Sequence, residues 1–375
     1  IGSNDVNFTG HYNGGAYAID SLFMRNMNGF LTGLFMNATG SEFQDIHLTH
    51  ADVSSAIAAG ILGGNISSST LYLCSASGNL STMLFGGGLV GLAMNITAQK
   101  CFSDADISGI SIPSQGIGLE TSEYLGGIFG IIHGDVNSIT DCYATGSVNG
   151  GNHIGGLIGG IDYTSVVMFG GTGEPSPLMG FNMDGCYAAN TLTALANGAS
   201  PGGLFGQSNY TGSLVNITNS YWDGQLSNVT DGFLGGSPKQ TPEMKAQGTF
   251  TGWDFTPSTG AWNIQSGIYI SYPYLQGITY DVPGTIPEVN PIPGLENAPC
   301  VNPSAGGTIA ADQTICYGTT PATITSTANP SGYTGTLQYK WQVSYMDAGS
   351  GFSDIVPSNS PDYTPGTSTQ TAWYK

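Results

Sequence analysis

The chain has 375 residues, of which 40% are hydrophobic, 8% are charged and 58 are glycine. Its 6 basic residues against 25 acidic ones give a formal net charge of −19, which disfavours nucleic acid or anionic lipid as a partner. Scarce charged side chains beside abundant Gly, Ser, Thr and Asn predict an all-β protein with little helix. No apolar run reaches about 18 residues, so no membrane-spanning helix is predicted.

The first elements are two short strands around a turn, predicted because residues 8–22 alternate apolar and polar side chains and are interrupted by glycines. A block of the form Gly-Gly-apolar-any-Gly then recurs along the chain. Its second glycine is assigned to positions 33, 60, 88, 127, 156 and 203, which gives spacings of 27, 28, 39, 29 and 47 residues. Most spacings therefore fall in the high twenties, and the two long ones indicate insertions.

This period predicts a parallel β-helix, or β-solenoid, because each turn of such a coil hides its apolar face only by stacking on its neighbours. We expect the coil to be right-handed. The glycine pairs are expected to form sharp corners by adopting positive φ.

A cysteine or an aromatic residue follows each block at a similar distance. Equivalent residues of adjacent turns lie about 4.8 Å apart in such a coil, which predicts a single column of side chains. Buried free thiols are favoured there, and one or two disulfides between turns are the alternative. The predicted column consists of Cys74, Cys101, Cys142, Cys186 and Tyr221.

The two insertions, residues 108–123 and 162–182, are rich in Gly, Pro and Ser. Loops on a rigid scaffold commonly carry binding residues, so we expect binding function here. The alternative, held equally, is that the insertions have no functional role. The candidate contact residues in these loops are Gln115, Glu120, Phe169 and Glu174.

After residue 224 the repeat gives way to a helix signal at 241–245, where a proline and an early acid follow Thr241. Next comes an aromatic-rich stretch that includes Trp253, Phe255 and Trp262. We predict that these residues cap the open end of the coil, because a solenoid leaves its last turn exposed. A platform for stacking carbohydrate is the alternative.

The predicted domains are the coil with its cap at 1–281, a proline-rich linker at 282–303, and an Ig-like β-sandwich at 304–375. Short alternating stretches in the last region predict antiparallel strands, with Trp341 as the core tryptophan. We expect this module to lack a final strand. We also expect a processed chain or a piece of a longer one, because residue 1 is not methionine.

The best pair of carboxylates is Asp104 and Asp106, which alternate onto one face of a predicted strand. Asp135, Asp141 and Asp184 are candidates for neighbours on other turns. Exposed acids in so acidic a chain usually keep it soluble, so the pair is a calcium candidate only, and no catalytic residue or other cofactor is assigned.

The blocks GGLVG, GGIFG, GGLIGG and GGLFG, followed by strands such as DCYATGSV, resemble the GLUG-motif repeats of bacterial surface adhesins. The stretch from SYWDG to YPYL is similar to the segment that closes such arrays. This resemblance covers roughly residues 5–280 and implies an exported, non-enzymatic adhesin.

Residues 306–375 are similar to the Ig-like modules of large Bacteroidetes surface adhesins, which are exported by the type IX system. In those modules a further strand follows the aromatic pair and can carry a cysteine. The resemblance therefore makes Cys300 and Cys316 a candidate disulfide, with a partner beyond Lys375 as the alternative.

The predicted function is that of a cell-surface adhesin or stalk protein, which binds surface glycans, proteins or other copies of itself through the coil and its loops. Two alternatives remain: a structural subunit of an extracellular filament or surface layer, and a polysaccharide-active β-helix enzyme. The expected location is extracellular or at the cell surface.

Overall fold

The computed structural model describes residues 1–3, 5–27, 29–110, 124–134, 136–161, 180–194, 201–208, 215–266, 269–280, 288–289, 296–297, 303–332, 337–356 and 359–375. It divides into two compact units. The first comprises Ile1–Gln265 with Ser271–Gly294, and the second comprises Ser266–Ile270 with Leu295–Lys375.

Short strands make up most of the first unit. In chain order they are β1 (His11–Asn13), β2 (Ala18–Asp20), β3 (Phe23–Asn26), β4 (Leu31–Thr32), β5 (Phe35–Thr39), β6 (Glu42–Gln44), β7 (His47–Ser55), β8 (Ala58–Gly60), β9 (Gly63–Ser67), β10 (Thr70–Tyr72), β11 (Ser75–Thr82), β12 (Phe85–Gly87), β13 (Val90–Met94), β14 (Thr97–Gln99) and β15 (Phe102–Gly109). They continue as β16 (Tyr124–Gly126), β17 (Phe129–His133), β18 (Asn137–Thr140), β19 (Tyr143–Ala144), β20 (Ser147–Gly150), β21 (His153–Gly155), β22 (Ile158–Ile161), β23 (Phe181–Asp184), β24 (Tyr187–Ala188), β25 (Thr191–Ala194), β26 (Phe205–Ser208), β27 (Val215–Thr218), β28 (Tyr221–Asp223), β29 (Ser237–Lys239) and β30 (Trp262–Asn263).

Strands β1 to β29 form four parallel sheets, and the chain visits these sheets in the same order in every turn. The sheets are a five-stranded one (β4-β8-β12-β16-β21), a six-stranded one (β5-β9-β13-β17-β22-β26), a seven-stranded one (β1-β6-β10-β14-β18-β23-β27) and an eleven-stranded one (β2-β7-β11-β15-β19-β24-β28-β29, with β3, β20 and β25). Each strand pairs with the strand one turn later. The chain is therefore nearly all β with long parallel sheets, as in a β-helix, and we call this part the coil.

The strand register corrects the predicted alignment of the glycine blocks. Gly87, not Gly88, lies opposite Gly60 on one side and Gly126 on the other. The spacing there is 27 residues (87 − 60) rather than 28, because the looser copy has Ile61 where the clear blocks have their second glycine. The period was predicted correctly, but its phase was wrong by one residue.

The expected reason for the glycine pairs was also wrong. Neither Gly127 nor Gly156 has positive φ. A Cβ atom at Gly127 would instead overlap the carbonyl oxygen of Gly156 and lie 2.5 Å from the Cβ of Ala144. These glycines are needed because the next turn and the neighbouring sheet approach closely, not because the chain bends through an unusual φ.

Positive φ occurs at other corners of the coil, one of which lies between the seven-stranded and the eleven-stranded sheets. One residue per turn adopts it there, just before the cysteine position. These residues are Asp45, Leu73, Lys100, Asp141, Gly185 and Asn219, with φ between 46° and 64°.

The four cysteines of the predicted column lie inside the coil at equivalent positions of successive turns. The residues that directly follow them are Ser75, Phe102, Tyr143 and Tyr187. Each of these residues lies opposite the next one in the strand register. All four are buried free thiols, and burial raises the pKa of the Cys74 and Cys142 thiols.

The prediction that Tyr221 continues this column was wrong. Tyr221 pairs with Tyr187, so the residue at the cysteine position of that turn is Ser220. Neighbouring residues of a strand point to opposite sides, which places Tyr221 outside the coil.

The C-terminal end of the coil is closed by Trp222 of β28 and by the residues that directly follow this strand. Trp222 packs into the coil's core with Leu234 against it, and its Nε1 donates to the carbonyl oxygen of Val229 at 2.9 Å. The helix α1 (Gly224–Ser227) and the last parallel strand β29 complete this end. The predicted cap residues Trp253, Phe255 and Trp262 lie elsewhere, on the flank of the coil.

The helix signal at 241–245 is confirmed as α2 (Thr241–Met244), a single turn with a capping box between Gln240 and Glu243. A 3₁₀ turn follows at Gln247–Thr249. No helix in the described part of the chain is long and apolar enough to cross a membrane.

The remaining strands pair in small antiparallel sheets. They are β31 (Tyr269–Ile270) with β35 (Glu296–Asn297), β32 (Tyr274–Leu275) with β30, β33 (Thr279–Tyr280) with β34 (Glu288–Val289), β36 (Thr308–Ile309) with β37 (Ser326–Ala328), and β38 (Gln342–Ser344) between β39 (Ser353–Asp354) and β40 (Trp373–Tyr374). In the second unit Trp341 is buried, with its ring 5.5 Å from that of Tyr363 and its Nε1 donating to the carbonyl oxygen of Ser360.

Candidate functional site

The four predicted loop residues, Gln115, Glu120, Phe169 and Glu174, lie outside the described residues. The described strands do fix where the two insertions begin and end. The first joins β15 to β16, from the eleven-stranded to the five-stranded sheet, and the second joins β22 to β23, from the six-stranded to the seven-stranded sheet. The insertions therefore leave the coil at different corners.

The calcium candidates Asp104 and Asp106 lie on the outer face of β15, and both are exposed. The Oδ1 of Asp104 accepts from the Thr145 hydroxyl at 2.8 Å, and that of Asp106 accepts from the Ser147 hydroxyl at 2.7 Å. Among the described residues, no group of three His, Cys, Asp or Glu side chains is placed to hold a metal, and Asp135 is not among those residues. Calcium binding therefore remains a prediction.

Asp141 and Asp184 lie away from that pair. Asp184 ends β23 in the seven-stranded sheet, and Asp141 occupies the positive-φ corner after β18. The Nε1 of Trp262 donates to Asp141 at 3.0 Å. Burial is the largest cause that raises the pKa of Asp141, and nearby Lys100 partly offsets it.

The outer face of the eleven-stranded sheet carries an aromatic column, which consists of Phe102, Tyr143, Tyr187 and Tyr221. The rings of Phe102 and Tyr143 are 4.9 Å apart, and those of Tyr143 and Tyr187 are 5.0 Å apart and nearly parallel. All four residues are buried. Something in the chain therefore covers this column.

The cover is formed by residues 244–265 and 271–278, which we call the strap. Its buried members are Met244, Phe250, Ala261, Trp262, Tyr272, Leu275 and Ile278, with Trp253 and Phe255 partly buried beside them. The Tyr187 hydroxyl donates to the carbonyl oxygen of Pro273 at 2.6 Å, and the Tyr272 hydroxyl donates to the Asp223 carboxylate at 2.6 Å. Burial raises the pKa of Tyr187 well above its usual value.

The predicted cap is thus a side cover that spans several turns. Trp262 packs on Tyr143, Tyr187 and Trp253, and it has no exposed surface. It cannot stack on a carbohydrate while the strap stays in place, so the platform interpretation does not fit Trp262.

The seven-stranded sheet has an outer face of the opposite character, which we call the polar face. The register aligns its outward side chains in two columns. The first column is His11, Glu42, Thr70, Thr97, Ser138, Asn182 and Asn216, and the second is Asn13, Gln44, Tyr72, Gln99, Thr140, Asp184 and Thr218. Each of these side chains is exposed or half-buried.

The ends of the polar face are paired internally, whereas its middle is not. At one end His11 lies 3.1 Å from the Glu42 carboxylate, and at the other the Asp184 carboxylate accepts from Thr218 at 2.7 Å and from Asn219 at 2.9 Å. Within the described part of the chain, the middle side chains form no hydrogen bond with another residue. These are Gln44, Thr70, Tyr72, Thr97, Gln99, Ser138 and Thr140.

Sequence reasoning missed the polar face, although a signal for it exists. A polar-apolar-polar triplet begins four residues before each cysteine of the column: Thr70 to Tyr72, Thr97 to Gln99, Ser138 to Thr140, and Asn182 to Asp184. This recurrence marks one outward strand per turn, but only the structure shows that nothing described covers it.

The asparagines of several Asn-x-Ser/Thr sequons form another outward ladder. The Nδ2 of Asn65 donates to Asn37 at 2.8 Å, and that of Asn37 donates to Asn7 at 2.6 Å. The motif recurs in these turns because an outward Asn, an inward apolar residue and an outward hydroxyl occupy equivalent strand positions, whereas in the next turn Leu92 lies opposite Asn65.

A buried Asp-His-Ser trio joins the first full turn to the second. His47 Nε2 lies 3.0 Å from Asp45 Oδ1, and Nδ1 lies 2.8 Å from Ser75 Oγ. His47 has no exposed surface and Ser75 is 3% exposed, so the hydrogen bonds of the trio connect two turns of the coil inside the protein. Burial lowers the pKa of His47, with Asp45 opposing that shift.

The fold and the polar face define a nearly all-β chain with long parallel sheets and, among the described residues, an open outer surface whose middle is uncharged. In the comparison with known families, residues 305–375 match a family described as a domain of unknown function, DUF8696. No curated protein matches the chain.

Proposed function

We propose that this protein is a non-enzymatic, exported cell-surface protein of the adhesin or stalk type, whose coil presents the polar face to a ligand. The observation that carries the proposal is this face, a row of seven parallel strands whose outward side chains remain exposed. A rigid sheet that holds uncommitted polar groups in fixed positions suits binding, because little ordering is needed when the ligand arrives.

The resemblance of the glycine blocks to GLUG-motif adhesins supports the location and the finer details of the fold. On this proposal the coil is right-handed, residues 304–375 form an Ig-like module, and the two insertions add contacts of their own at different corners of the coil. Surface glycans or proteins are the proposed partners.

The test is adhesion by the full chain. Fluorescent beads coated with the protein are passed over surfaces that carry separate glycans and matrix proteins, and retained beads are counted against albumin-coated beads. We expect saturable retention on at least one surface, with no new reducing ends released from any glycan. Retention nowhere, or release of reducing ends, contradicts the proposal.

A second candidate function is self-assembly through the N-terminal end of the coil, and one observation favours it. Strands β1 and β2 lie at the ends of their sheets, and large apolar side chains are exposed in the same region: Val6 at 67%, Tyr17 at 63%, Phe23 at 63% and Phe30 at 56%. Exposed apolar surface beside unpaired strand edges is typical of an assembly contact. Light scattering of the full chain tests this candidate, since a monodisperse monomer at high concentration contradicts it.

A further inference from the structure

The middle of the polar face combines one aromatic ring with hydrogen-bonding groups that have no partner in the described chain. Tyr72 is 37% exposed and is the one aromatic side chain in the two columns. Gln44 lies beside it on one neighbouring strand and Gln99 on the other. This places an aromatic ring between two amides on a flat surface.

From this arrangement, and resting on the proposed function, we infer that the polar face binds a neutral polysaccharide whose sugar rings stack on Tyr72. Sugars present apolar C–H faces to aromatic rings and hydroxyl groups around their edges. Each hydroxyl both donates and accepts, as do the Gln, Thr and Ser side chains here.

The distribution of charge favours a neutral ligand over an anionic one. The two carboxylates in the columns, Glu42 and Asp184, sit towards the ends of the face and are already paired with His11 and with Thr218 and Asn219. Between them the outward side chains are uncharged. A polyanion would also meet the net charge of −19, whose repulsion raises the cost of binding.

The dimensions favour a chain over a single sugar. Adjacent strands lie about 4.8 Å apart, so the four strands from β6 to β18 extend the uncommitted patch over roughly 14 Å along the coil. The two columns are two positions apart along each strand, so the patch is narrow across the strands' length. A ligand that fills it is long and thin and lies parallel to the axis along which the turns stack.

The experiment measures binding of the full chain by isothermal titration to three neutral hexasaccharides (cellohexaose, mannohexaose and laminarihexaose) and to one anionic one (hexagalacturonate). At least one neutral hexasaccharide should bind, with hexagalacturonate at least about tenfold weaker. Tyr72→Ala should weaken that binding about tenfold, the scale of one aromatic contact. The control is Tyr17→Ala, which removes a tyrosine that lies away from the polar face and is more exposed than Tyr72 (63% against 37%), and it should leave the dissociation constant unchanged.

Three results would overturn the inference: no neutral hexasaccharide binds, hexagalacturonate binds best, or Tyr72→Ala and Tyr17→Ala have equal effects. Thermal melting of each variant verifies that it is folded. The inference can fail while the adhesin class of the proposed function stands, because bead adhesion that persists in Tyr72→Ala would show that adhesion does not depend on this ring.

Discussion

Two outer surfaces of the coil are both built from aligned columns of side chains, but one is buried and the other is open. On the eleven-stranded sheet, the aromatic column of Phe102, Tyr143, Tyr187 and Tyr221 is buried under the strap. On the seven-stranded sheet, the outward side chains are polar and lie open. The repeat supplies outward columns on both sheets. The strap covers one of them, and nothing in the described part of the chain covers the other.

This contrast explains where the chain places its aromatic residues. Rings stacked at the spacing of parallel strands form a continuous apolar stripe, which requires a cover in water. The strap provides that cover from the same chain. A stripe of amides and hydroxyls can instead stay hydrated until a partner displaces the water.

The largest effect on the free energy of unfolding is expected from a substitution that uncovers the aromatic column. Trp262→Ala removes the ring that packs on Tyr143, Tyr187 and Trp253, and it should lower the free energy of unfolding by about 3–5 kcal/mol. Urea denaturation followed by circular dichroism measures this. Trp262→Phe should lower the free energy of unfolding by less than Trp262→Ala, because it keeps an aromatic ring, although both variants lose the hydrogen bond to Asp141. A change below about 0.5 kcal/mol in Trp262→Ala would mean that the strap is not a stabilising cover.

A smaller effect on the free energy of unfolding is expected at the glycine corners, where successive turns of the coil pack closely. Gly156→Ala would force a Cβ atom against the carbonyl oxygen of Gly203 and the side chain of Ala188. We expect it to lower the free energy of unfolding by about 1–3 kcal/mol. Gly248→Ala is the control, since no atom lies within 4 Å of the added Cβ. Equal melting temperatures for the two variants would contradict close stacking of the glycine corners.

His47 lies opposite Ser75, which lies opposite Phe102 of the covered column, and it should make stability depend on pH. Burial lowers the pKa of His47 below its ordinary value of 6.5, so its contribution is fully present above 6.5 and is lost as the pH falls through the folded pKa. His47→Gln should therefore flatten the decline in stability below pH 6.5, whereas the exposed His11→Gln should not. The measurement is a series of denaturation curves between pH 7.5 and about 4.5. Parallel pH profiles for wild type and His47→Gln would show that the trio carries no such coupling.

The smallest effect on stability is expected on the open surface. Gln99→Ala removes an exposed side chain that has no hydrogen-bond partner among the described residues, so the free energy of unfolding should change by less than about 0.5 kcal/mol. The same denaturation assay measures it. A loss comparable to that of Trp262→Ala would show that the polar face has a structural role and would remove the contrast between the two surfaces.

The sequence predicts the coil well because its cause is local and repeated. Each turn contributes the same short apolar strands, and the buried cysteines mark equivalent positions. The phase of the glycine blocks could not be read in the looser copies, because Ile61 fills the place of a second glycine and only strand pairing reveals the shift.

The two surfaces were harder to predict, because which outward column is covered depends on contacts between distant residues. Trp262 bonds to Asp141, 121 residues earlier, and no local pattern encodes that distance. The strap was therefore interpreted as an end cap. The triplets before the cysteines did mark outward strands, but alternation alone cannot tell an open face from a covered one.

The most direct test of the contrast is hydroxyl-radical footprinting of the full chain, read by mass spectrometry at Tyr72 and Tyr187, with and without cellohexaose, mannohexaose or laminarihexaose. The account predicts that Tyr72 is oxidised in the free protein and protected by at least one of these sugars, while Tyr187 stays unreactive throughout. Oxidation of Tyr187 in the folded protein, or an unchanged rate at Tyr72 with every sugar at saturating concentration, would contradict it.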